Sequence, residues 1–315
     1  MRRFVEYIRK SGSVLFVFAV RVNKKRIVTA AAVLAAVLMI VTCLFGASET
    51  ENAAVGKEYE AVRLPVIMYH GVLDREQGQN QYMIDVKYFE DDLKYLTENG
   101  YQTVTVDDLV QYFDRGTPLP EKAVMLTFDD GYYNNYALAY PLLKKYQCRA
   151  VLSPIGIEAD KAETPEQAQN RSVLYSQCSW KELAEMAHSG LVELQNHSFD
   201  LHHTDKGRQG AAPKKGKDAE EYREMLIKDL QEANRAIHKG AGVTPICFTC
   251  PFGAKSEETL RVVKELGFRA MMDCEEKINV LKSPDDLYAL HRYLRPNGIS
   301  AQEFFDRWER EMNDI

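Results

Sequence analysis

The stretch from Ala123 to Gly131, AVMLTFDDG, decides the fold, because an apolar run leads directly into two carboxylates. The run predicts a buried strand, and polar groups at the carboxyl end of a parallel strand are typical of a functional site in a barrel enzyme. Taken alone, Asp-Asp-Gly after a strand is more often a turn with a helix cap than a catalytic pair. The rest of the chain has to decide between these interpretations.

Short apolar runs alternate with longer amphipathic ones on both sides of this stretch. The short runs predict strands near 65–69, 102–105, 123–128, 149–153, 191–195, 246–249, 268–272 and 288–293. The amphipathic patterns predict helices at about 87–99, 133–146, 179–189, 218–239, 256–266 and 300–312. Strands that alternate with helices form parallel sheets. We therefore predict an α/β protein with a distorted (β/α) barrel of seven to eight parallel strands, and a doubly wound open sheet is the alternative.

Composition and charge exclude several classes of protein. The chain has 315 residues, 45% hydrophobic and 27% charged, which is typical of a globular protein. Its 40 basic and 46 acidic side chains give a net charge of −6, which argues against nucleic-acid binding. Nucleotide binding and Ser-His-Asp hydrolysis are disfavoured, because the sequence has no P-loop, no complete G-x-G-x-x-G and no G-x-S-x-G. The sequence carries no signal for the oligomeric state.

The amino-terminal end has a different character from the rest. Residues 1–26 carry eight basic groups and one acidic group, and residues 27–46 are 20 consecutive uncharged, mostly apolar residues. A helix of that length spans roughly 30 Å, the thickness of a bilayer core. We expect an uncleaved transmembrane helix at 27–46, a basic cytoplasmic segment at 1–26, a polar linker at 47–63 and an exported globular domain at 64–315.

Five of the six cysteines lie outside the apolar segment, so they cannot all pair with one another. Cys247 and Cys250 form a C-x-x-C, but the apolar run 246–249 predicts a strand there, on which residues three apart point to opposite faces. No second pair stands at zinc-ribbon spacing. The pattern therefore argues against a cysteine metal site or a redox pair.

A second polar cluster lies in the segment 196–203, NHSFDLHH, which follows the strand predicted near 191–195 and holds three of the seven histidines. Two imidazoles and a carboxylate from separate strand ends form a three-ligand metal set that leaves positions open for water and substrate. The alternative is a loop with exposed histidines and no metal. If the metal set forms, it activates water for hydrolysis.

With these two clusters, the sequence resembles the polysaccharide deacetylases of carbohydrate esterase family 4. The first family motif, T-F-D-D-G, is complete at Thr127–Gly131, and the second begins at His197-Ser198. Most members have the next histidine four residues after the first, whereas here Leu201 stands there and His202 follows. The resemblance extends over roughly Leu64 to Pro296.

The longer histidine spacing resembles one branch of the family, which includes the poly-β-1,6-N-acetylglucosamine deacetylases. That branch also begins with a strand ending in Tyr-His, as Val66–His70 does here. Its motifs are circularly permuted, so the resemblance implies that His70 is the general acid. His291 is the rival, because it lies near the end of the chain, where unpermuted members carry this histidine.

The resemblance also implies the other roles in the site. Asp130, His197 and His202 would hold a divalent metal ion, with Zn²⁺ expected first and Co, Ni, Fe or Mn as alternatives. Asp129 would be the general base that takes a proton from water.

The third family motif departs from the pattern. Threonine stands at Thr249, where the family has the arginine that orients the catalytic aspartate. Arg292 is a candidate replacement for that cation. Pro251 and Phe252 remain, and the backbone N–H of Phe252 is expected to help hold the oxyanion. Asp273 is a weak match to the fourth motif, because the companion tryptophan is missing.

These implications describe a membrane-anchored, extracytoplasmic, metal-dependent hydrolase with a catalytic domain at 64–315. Its expected substrate is an N-acetylated cell-surface polysaccharide, either poly-β-1,6-N-acetylglucosamine or peptidoglycan. The alternative from another class is a catalytically silent polysaccharide-binding protein that keeps the cleft, which the lost arginine favours and the retained carboxylates and histidines oppose. A glycosidase is disfavoured, because adjacent residues on a strand diverge, whereas its carboxyls must face each other across a sugar, about 5–9 Å apart.

Overall fold

The computed structural model describes residues 7–10, 13–16, 59–205, 208–213, 216 and 218–313. The chain forms two compact units, Met1–Lys57 and Glu58–Ile315. In the first, strands β1 (Tyr7–Lys10) and β2 (Ser13–Phe16) pair antiparallel. The membrane span predicted at 27–46 lies outside the described residues. Among the helices of the described ranges, none has the length and apolar character needed to cross a bilayer.

The second unit contains the alternating strands and helices. Its strands are β3 (Val62–Leu64), β4 (Val66–Tyr69), β5 (Gly71–Leu73), β6 (Met83–Asp85), β7 (Gln102–Thr103), β8 (Ala123–Asp130), β9 (Ala150–Pro154), β10 (Val192–Leu194), β11 (Thr204–Asp205), β12 (Arg208–Gln209), β13 (Cys247–Thr249), β14 (Ala270–Met272), β15 (Asn279–Leu281) and β16 (Tyr293–Leu294). Its α-helices are α1 (Val86–Glu98), α2 (Val106–Arg115), α3 (Tyr140–Tyr146), α4 (Gly156–Ala162), α5 (Pro165–Gln169), α6 (Trp180–His188), α7 (Ala219–Ala241), α8 (Glu257–Glu265) and α9 (Ala301–Asn313).

Seven parallel strands close into a barrel. Strands β16, β4, β8, β9 and β10 are neighbours in that order, and every pair is parallel. After β10, Asn196 bridges Phe248 of β13, and β13 pairs with β14. Met272 of β14 bridges Leu290, which leads into β16 and so closes the ring. The predicted barrel is confirmed, and it is distorted because two of its seams are single bridges.

Strand β8 shows why this part of the sequence determines the architecture. All eight of its residues are buried, which explains the lack of polar alternation in the run. Val124, Leu126 and Phe128 pack in the core cluster that contains residues of α1, α3 and α6. Ala123 and Met125 belong to another cluster, with residues of β4, β9, β13 and β14. Alternate side chains therefore face the helical layer and the barrel interior.

All six predicted helices are present, with one difference. The segment predicted as a helix at 133–146 begins with a π-helical turn, Asn135–Ala139, before α3. Three further helices were not predicted, namely α2, α4 and α5. The strand predicted at 102–105 ends at Thr103 and pairs only with the start of β8, because Thr105 instead caps α2 through a capping box with Asp108.

The second unit also includes residues from the predicted linker. The ring of Tyr59 packs edge-on against Phe113 at 4.9 Å, and its hydroxyl donates a 2.8 Å hydrogen bond to the Phe113 carbonyl. Strand β3 pairs antiparallel with β15. These contacts tie residues 59–63 to the barrel.

The five cysteines of the second unit are free thiols. Cys247 and Cys250 are both fully buried, and they belong to different core clusters, as expected for residues that point to opposite faces. Burial raises the pKa of each of these two thiols. Neither is therefore suited to metal binding or thiolate chemistry.

Candidate active site

Asp129 lies inside the barrel at the carboxyl end of β8. Alternation puts it on the same face as Met125 and Thr127, and it is 2% exposed. Arg292 donates two hydrogen bonds to it, from Nη1 to Oδ1 at 2.7 Å and from Nη2 to Oδ2 at 2.8 Å. The Arg292 Nε donates to the backbone carbonyl of Asp273 at 2.8 Å, which fixes the plane of the guanidinium. The structure thus brings a buried, bidentate cation to the carboxylate that the sequence marks as the base.

The backbone conformation of Asp130 directs its side chain toward His197 and His202. Its φ of 69° is in the left-handed region, which a non-glycine residue rarely adopts, and Gly131 follows with a φ of 80°. A Cβ at Gly131 would lie 2.9 Å from the Cβ of Pro154, so only glycine fits there. Strained backbone of this kind is concentrated at functional sites. The two adjacent carboxylates consequently diverge, one to Arg292 and the other to the histidines.

His197 and His202 converge on Asp130 from the segment after β10. The Nε2 atoms of His197 and His202 lie 3.4 and 3.3 Å from Oδ1 of Asp130. The Nδ1 of His197 is 2.8 Å from the carbonyl oxygen of Thr249, to which it donates when its proton is on that nitrogen. In this tautomer the Nε2 atom carries a lone pair directed at Asp130, as a metal ligand requires.

The three groups fit a divalent metal ion. Their ligand atoms all lie within 4.8 Å of one another. Oδ1 of Asp130 is buried and has no hydrogen-bond partner, which is costly unless a cation or another donor occupies the space beside it. In tetrahedral coordination with bonds of about 2.0–2.2 Å, ligand atoms stand about 3.4 Å apart. The two distances measured to Asp130 agree with that value.

The electrostatic field of the site keeps both carboxylates ionised. Burial alone would raise the pKa of Asp129, but Arg292 and then His197 hold it well below the usual value. Burial alone would also raise the pKa of Asp130, but the close approach of His197 and then of His202 lowers it. Conversely, Asp129 and Asp130 raise the pKa of His197 despite its burial. Burial lowers the pKa of His202, which favours the neutral imidazole that ligates a metal.

His70 stands at the carboxyl end of β4, next to β8 in the barrel. Burial lowers its pKa, and the groups that act next on that pKa are Asp129, Asp130 and Arg292. Nδ1 of His70 is buried without a hydrogen-bond partner. The ring of Tyr82 packs against its imidazole at 4.8 Å between centroids. His70 is therefore part of the same site.

His291 belongs to a neighbouring cluster instead. Its Nδ1 lies 3.0 Å from Oδ1 of Asp273 and 3.7 Å from Oε2 of Glu275. Asp273 also forms an ion pair with Lys255, which, with the lesser help of His291, lowers its pKa despite burial. Asp273, Glu275 and His291 could geometrically hold a metal, but Lys255 already supplies a cation there. The structure does not bring the side chain of His291 or of Asp273 to Asp130.

Thr249 fills the place of the family arginine in a different way. Its hydroxyl forms a 2.7 Å hydrogen bond with the hydroxyl of Ser153, and both residues are buried. Ser153 was not predicted as part of the site, because it ends an apolar run that reads as an ordinary strand. At Asp129 it is Arg292 that donates to both carboxylate oxygens.

Phe252 borders the metal ligands. Its φ of 58° is again in the left-handed region, and its ring lies 4.3 Å from that of His202. Pro251, just before it, is buried. Pro251 and Phe252 thus flank the histidine side of the site, with the Phe252 ring 41% exposed to solvent.

Two other aromatic side chains at the site were not predicted. The sequence gives no signal for Tyr82, a single tyrosine in a polar loop, although it contacts His70. Burial raises the pKa of Tyr132, and the next cause is the charge of Asp130, beside which its hydroxyl lies. Tyr132 follows the T-F-D-D-G motif by one residue, and that position was the only available signal.

Comparisons with known proteins agree with this site. The family model for polysaccharide deacetylases matches residues 116–271, which include Asp129, Asp130 and both histidines. The poly-β-1,6-N-acetyl-D-glucosamine N-deacetylase of Escherichia coli K12 is 28% identical over 260 residues, and that of Staphylococcus aureus MSSA476 is 26% identical over 261 residues. Over residues 116–271, the chain matches the polysaccharide deacetylase family. The matches agree with the enzyme class that the sequence predicts, a hydrolase that deacetylates polysaccharides, and that activity stays a prediction for this chain.

The extent of each match differs. The alignment with the Escherichia coli deacetylase covers 76% of this chain but only 37% of that protein, and with the Staphylococcus aureus deacetylase it covers 82% and 84%. A solved structure of a de-N-acetylase from Aggregatibacter actinomycetemcomitans is 27% identical with a TM-score of 0.65, over 79% of this chain and 99% of that one. The similarity in fold therefore extends well beyond the residues that the family model matches.

Proposed function

We propose that this chain is a metal-dependent de-N-acetylase that removes acetyl groups from N-acetylglucosamine units of a cell-surface polysaccharide. One observation carries the proposal. The Nε2 atoms of His197 and His202 converge on Oδ1 of Asp130, a buried oxygen that has no hydrogen-bond partner. The adjacent carboxylate of Asp129 is ionised and is held separately by Arg292. This combination of a three-ligand set and a base is suited to the hydrolysis of an acetamide.

The ligand set consists of Asp130, His197 and His202, and Zn²⁺ is the first candidate, with Co, Ni, Fe or Mn as alternatives. A divalent ion held there supplies Lewis-acid chemistry, because it lowers the pKa of water beside it and polarises the acetyl carbonyl. The hydrogen bond between Nδ1 of His197 and the Thr249 carbonyl fixes the ring for this role.

The chain's own residues carry the proton transfers. Asp129 takes a proton from the attacking water, and Arg292 keeps this carboxylate ionised and in one orientation. His70 gives a proton to the nitrogen of the departing amine, which is otherwise a poor leaving group. The backbone N–H of Phe252 donates a hydrogen bond to the developing oxyanion, with Pro251 fixing the chain before it. The products are acetate and a free glucosamine unit.

Arg292 also weakens the main argument for a catalytically silent binding protein. That alternative depended on the loss of the motif-three arginine. A bidentate guanidinium nevertheless stands at Asp129, supplied from position 292 instead of position 249.

For the substrate we propose poly-β-1,6-N-acetylglucosamine ahead of peptidoglycan. The support comes from the names of the Escherichia coli and Staphylococcus aureus relatives and from the five-residue spacing between His197 and His202.

We further propose that the protein is anchored in the cell membrane by residues 27–46, with the catalytic domain outside. The support is the uncharged stretch of 20 residues preceded by eight basic groups. Protease treatment of intact cells tests this, because an external domain is digested and a cytoplasmic one is protected.

The direct test of the activity is acetate release from two N-acetylglucosamine oligomers in parallel, one β-1,6-linked and one derived from peptidoglycan. We expect faster release from the β-1,6-linked oligomer and none from either with Asp129→Asn. Faster release from the peptidoglycan oligomer would reverse the order of substrates. Absence of release from both, by protein that contains its metal, would contradict the proposed activity.

A further inference from the structure

Three large apolar side chains are exposed in the described part of the chain, and two of them contact histidines of the candidate active site. Tyr82, Tyr175 and Phe252 are 44%, 69% and 41% exposed. The ring of Tyr82 contacts His70 at 4.8 Å, and that of Phe252 contacts His202 at 4.3 Å. Singly exposed aromatic residues need no explanation, but exposed rings beside the histidines of one site do.

Tyr175 lies on a segment that pairs with the chain just after the catalytic carboxylates. Gln177 forms an antiparallel bridge with Tyr132. The N–H of Tyr133 donates to the Ser176 carbonyl, and the N–H of Cys178 donates to the Gly131 carbonyl, both at 2.8 Å. Tyr175 is thus held at the border of the site, immediately before the residues that pair with 131–133.

Asn134 ties the two tyrosine-bearing loops together. Its fully buried amide accepts a hydrogen bond from the N–H of Val72 at 3.2 Å and donates one to the carbonyl of Val173 at 2.9 Å. The two loops also meet directly, since a Cβ on Gly78 would lie 3.3 Å from Leu174. The loop of Tyr82 and the loop of Tyr175 therefore form one continuous side of the cleft.

The backbones of both loops are fixed, although the two rings are exposed. The carbonyl of Tyr82 accepts a hydrogen bond from the N–H of Gly71, and the N–H of Tyr82 donates one to Oδ1 of Asn80. Across Tyr175, the hydroxyl of Ser176 accepts a hydrogen bond from the N–H of Ser172 at 2.9 Å. A ring presented by an ordered backbone loses little conformational entropy when it binds a ligand.

The barrel order sets these tyrosines across the site from Phe252. Tyr82 contacts His70 at the end of β4, whereas Phe252 follows β13, which is three strands away from β4 in one direction and four in the other. The metal ligands come from β8 and from the segment after β10. The neighbouring units of a sugar whose acetamide reaches the metal ligands have to lie on one of these two sides, and the side of Tyr82 and Tyr175 carries the two more exposed rings.

We infer that Tyr82 and Tyr175 form a binding wall that stacks against the pyranose units next to the one being deacetylated. A pyranose presents C–H groups on its faces and hydroxyls at its edge, and tyrosine combines an apolar ring with a polar tip. The wall makes the chain selective for oligomers of N-acetylglucosamine over short fragments. This inference rests on the proposed function, because the position of the flanking units follows from where the acetamide is hydrolysed.

The test compares acetate release from a β-1,6-linked pentamer and dimer by the full chain and its Tyr82→Ala and Tyr175→Ala variants. We expect the KM for the pentamer to rise about three- to tenfold in each variant, as one lost ring stack predicts, with a smaller fall in kcat. The dimer, which lacks most flanking units, should respond less. Phenylalanine at either position should recover most of the loss, because it keeps the ring. Tyr112→Ala, at the other end of the barrel, is the matched control for loss of a tyrosine.

The outcomes separate this inference from the proposed function. Activity in the parent chain with an unchanged pentamer KM in both alanine variants would overturn the wall and leave the deacetylase proposal standing. An equal rise in the pentamer KM in the alanine and phenylalanine variants would also contradict ring stacking. Without acetate release from the parent chain, pentamer affinity measured by calorimetry decides. Weaker binding by the alanine variants would then support the wall although the activity proposal fails, and unchanged binding would overturn it.

Discussion

Arg292 and Asp129 form a bidentate ion pair between two buried side chains that lie 163 positions apart in the sequence. Both oxygens of the carboxylate are used, and the guanidinium is held in turn by the Asp273 carbonyl. Arg292, in the segment before β16, is therefore placed to orient Asp129 as the motif-three arginine is expected to do. Its removal should affect both stability and catalysis.

Arg292→Met is expected to lower kcat/KM by about 100-fold or more, because the proposed base loses its orientation and its pKa rises. The acidic limb of the pH–rate profile should move to higher pH. The free energy of unfolding should fall by about 3–5 kcal/mol, since the partner charge stays buried without compensation. Arg292→Lys is the matched control, and we expect it to keep the charge but lose the two-pronged geometry. Rates within threefold of the parent chain in Arg292→Met would contradict this role.

The same pair predicts how stability depends on pH. The pKa of Asp129 is lowered in the folded chain, so its contribution is fully present above the ordinary aspartate pKa of about 3.9 and is lost as the pH falls toward the lowered value. The difference in unfolding free energy between the parent chain and Asp129→Asn should therefore shrink from about pH 6 to about pH 3. Urea unfolding at several pH values measures this difference. A difference that grows in acid would show that the carboxylate is not held ionised.

His70→Gln and His291→Gln should have different effects on activity. We expect His70→Gln to lower kcat by about 100-fold or more while metal content is retained, because the departing amine is no longer protonated. His291→Gln removes a contact with Asp273 outside the ligand cluster and should cost less than about tenfold. Acetate release and metal analysis on both purified variants distinguish the two histidines. The reverse ranking would assign the acid to His291.

Thr249→Val tests the hydrogen bond between Ser153 and Thr249, the residue that stands where the family has arginine. The variant leaves the hydroxyl of Ser153 buried without its partner, which should lower the free energy of unfolding by about 1–3 kcal/mol. Thr249→Ser keeps the hydroxyl and should lose less. Thermal unfolding of the two variants measures the difference. Equal stabilities would mean that the bond between Ser153 and Thr249 contributes little.

Much of the fold could be predicted because it depends on local patterns. The apolar run before Asp129 and the segment before His197 both predicted strand ends, and parallel strands bring such ends to one side of a barrel. Helix α2 was missed although Thr105, Asp108 and Gly116 carry its capping signals, and the predicted strand at 102–105 included its N-cap residue Thr105.

Other features depend on contacts between distant residues, which no local pattern reports. The first N–H groups of α2 are capped by the carboxylate of Glu193, 87 residues away. Whether Arg292 reaches Asp129 depends on the closure of the barrel between β14 and β16. Likewise, Tyr82 and Tyr175 become neighbours of the site only when Asn134 joins their loops.

The dependence of activity on metal tests the central claim most directly. The full chain is treated with a chelator, and acetate release from a β-1,6-linked N-acetylglucosamine pentamer is followed as Zn²⁺ or Co²⁺ is added back, with Asp130→Asn as the control. We predict no release without metal, a rise to a plateau at about one ion per chain, and no such plateau in Asp130→Asn. Full activity in protein freed of metal, or the same plateau in Asp130→Asn, would contradict the claim that Asp130, His197 and His202 form the catalytic metal site.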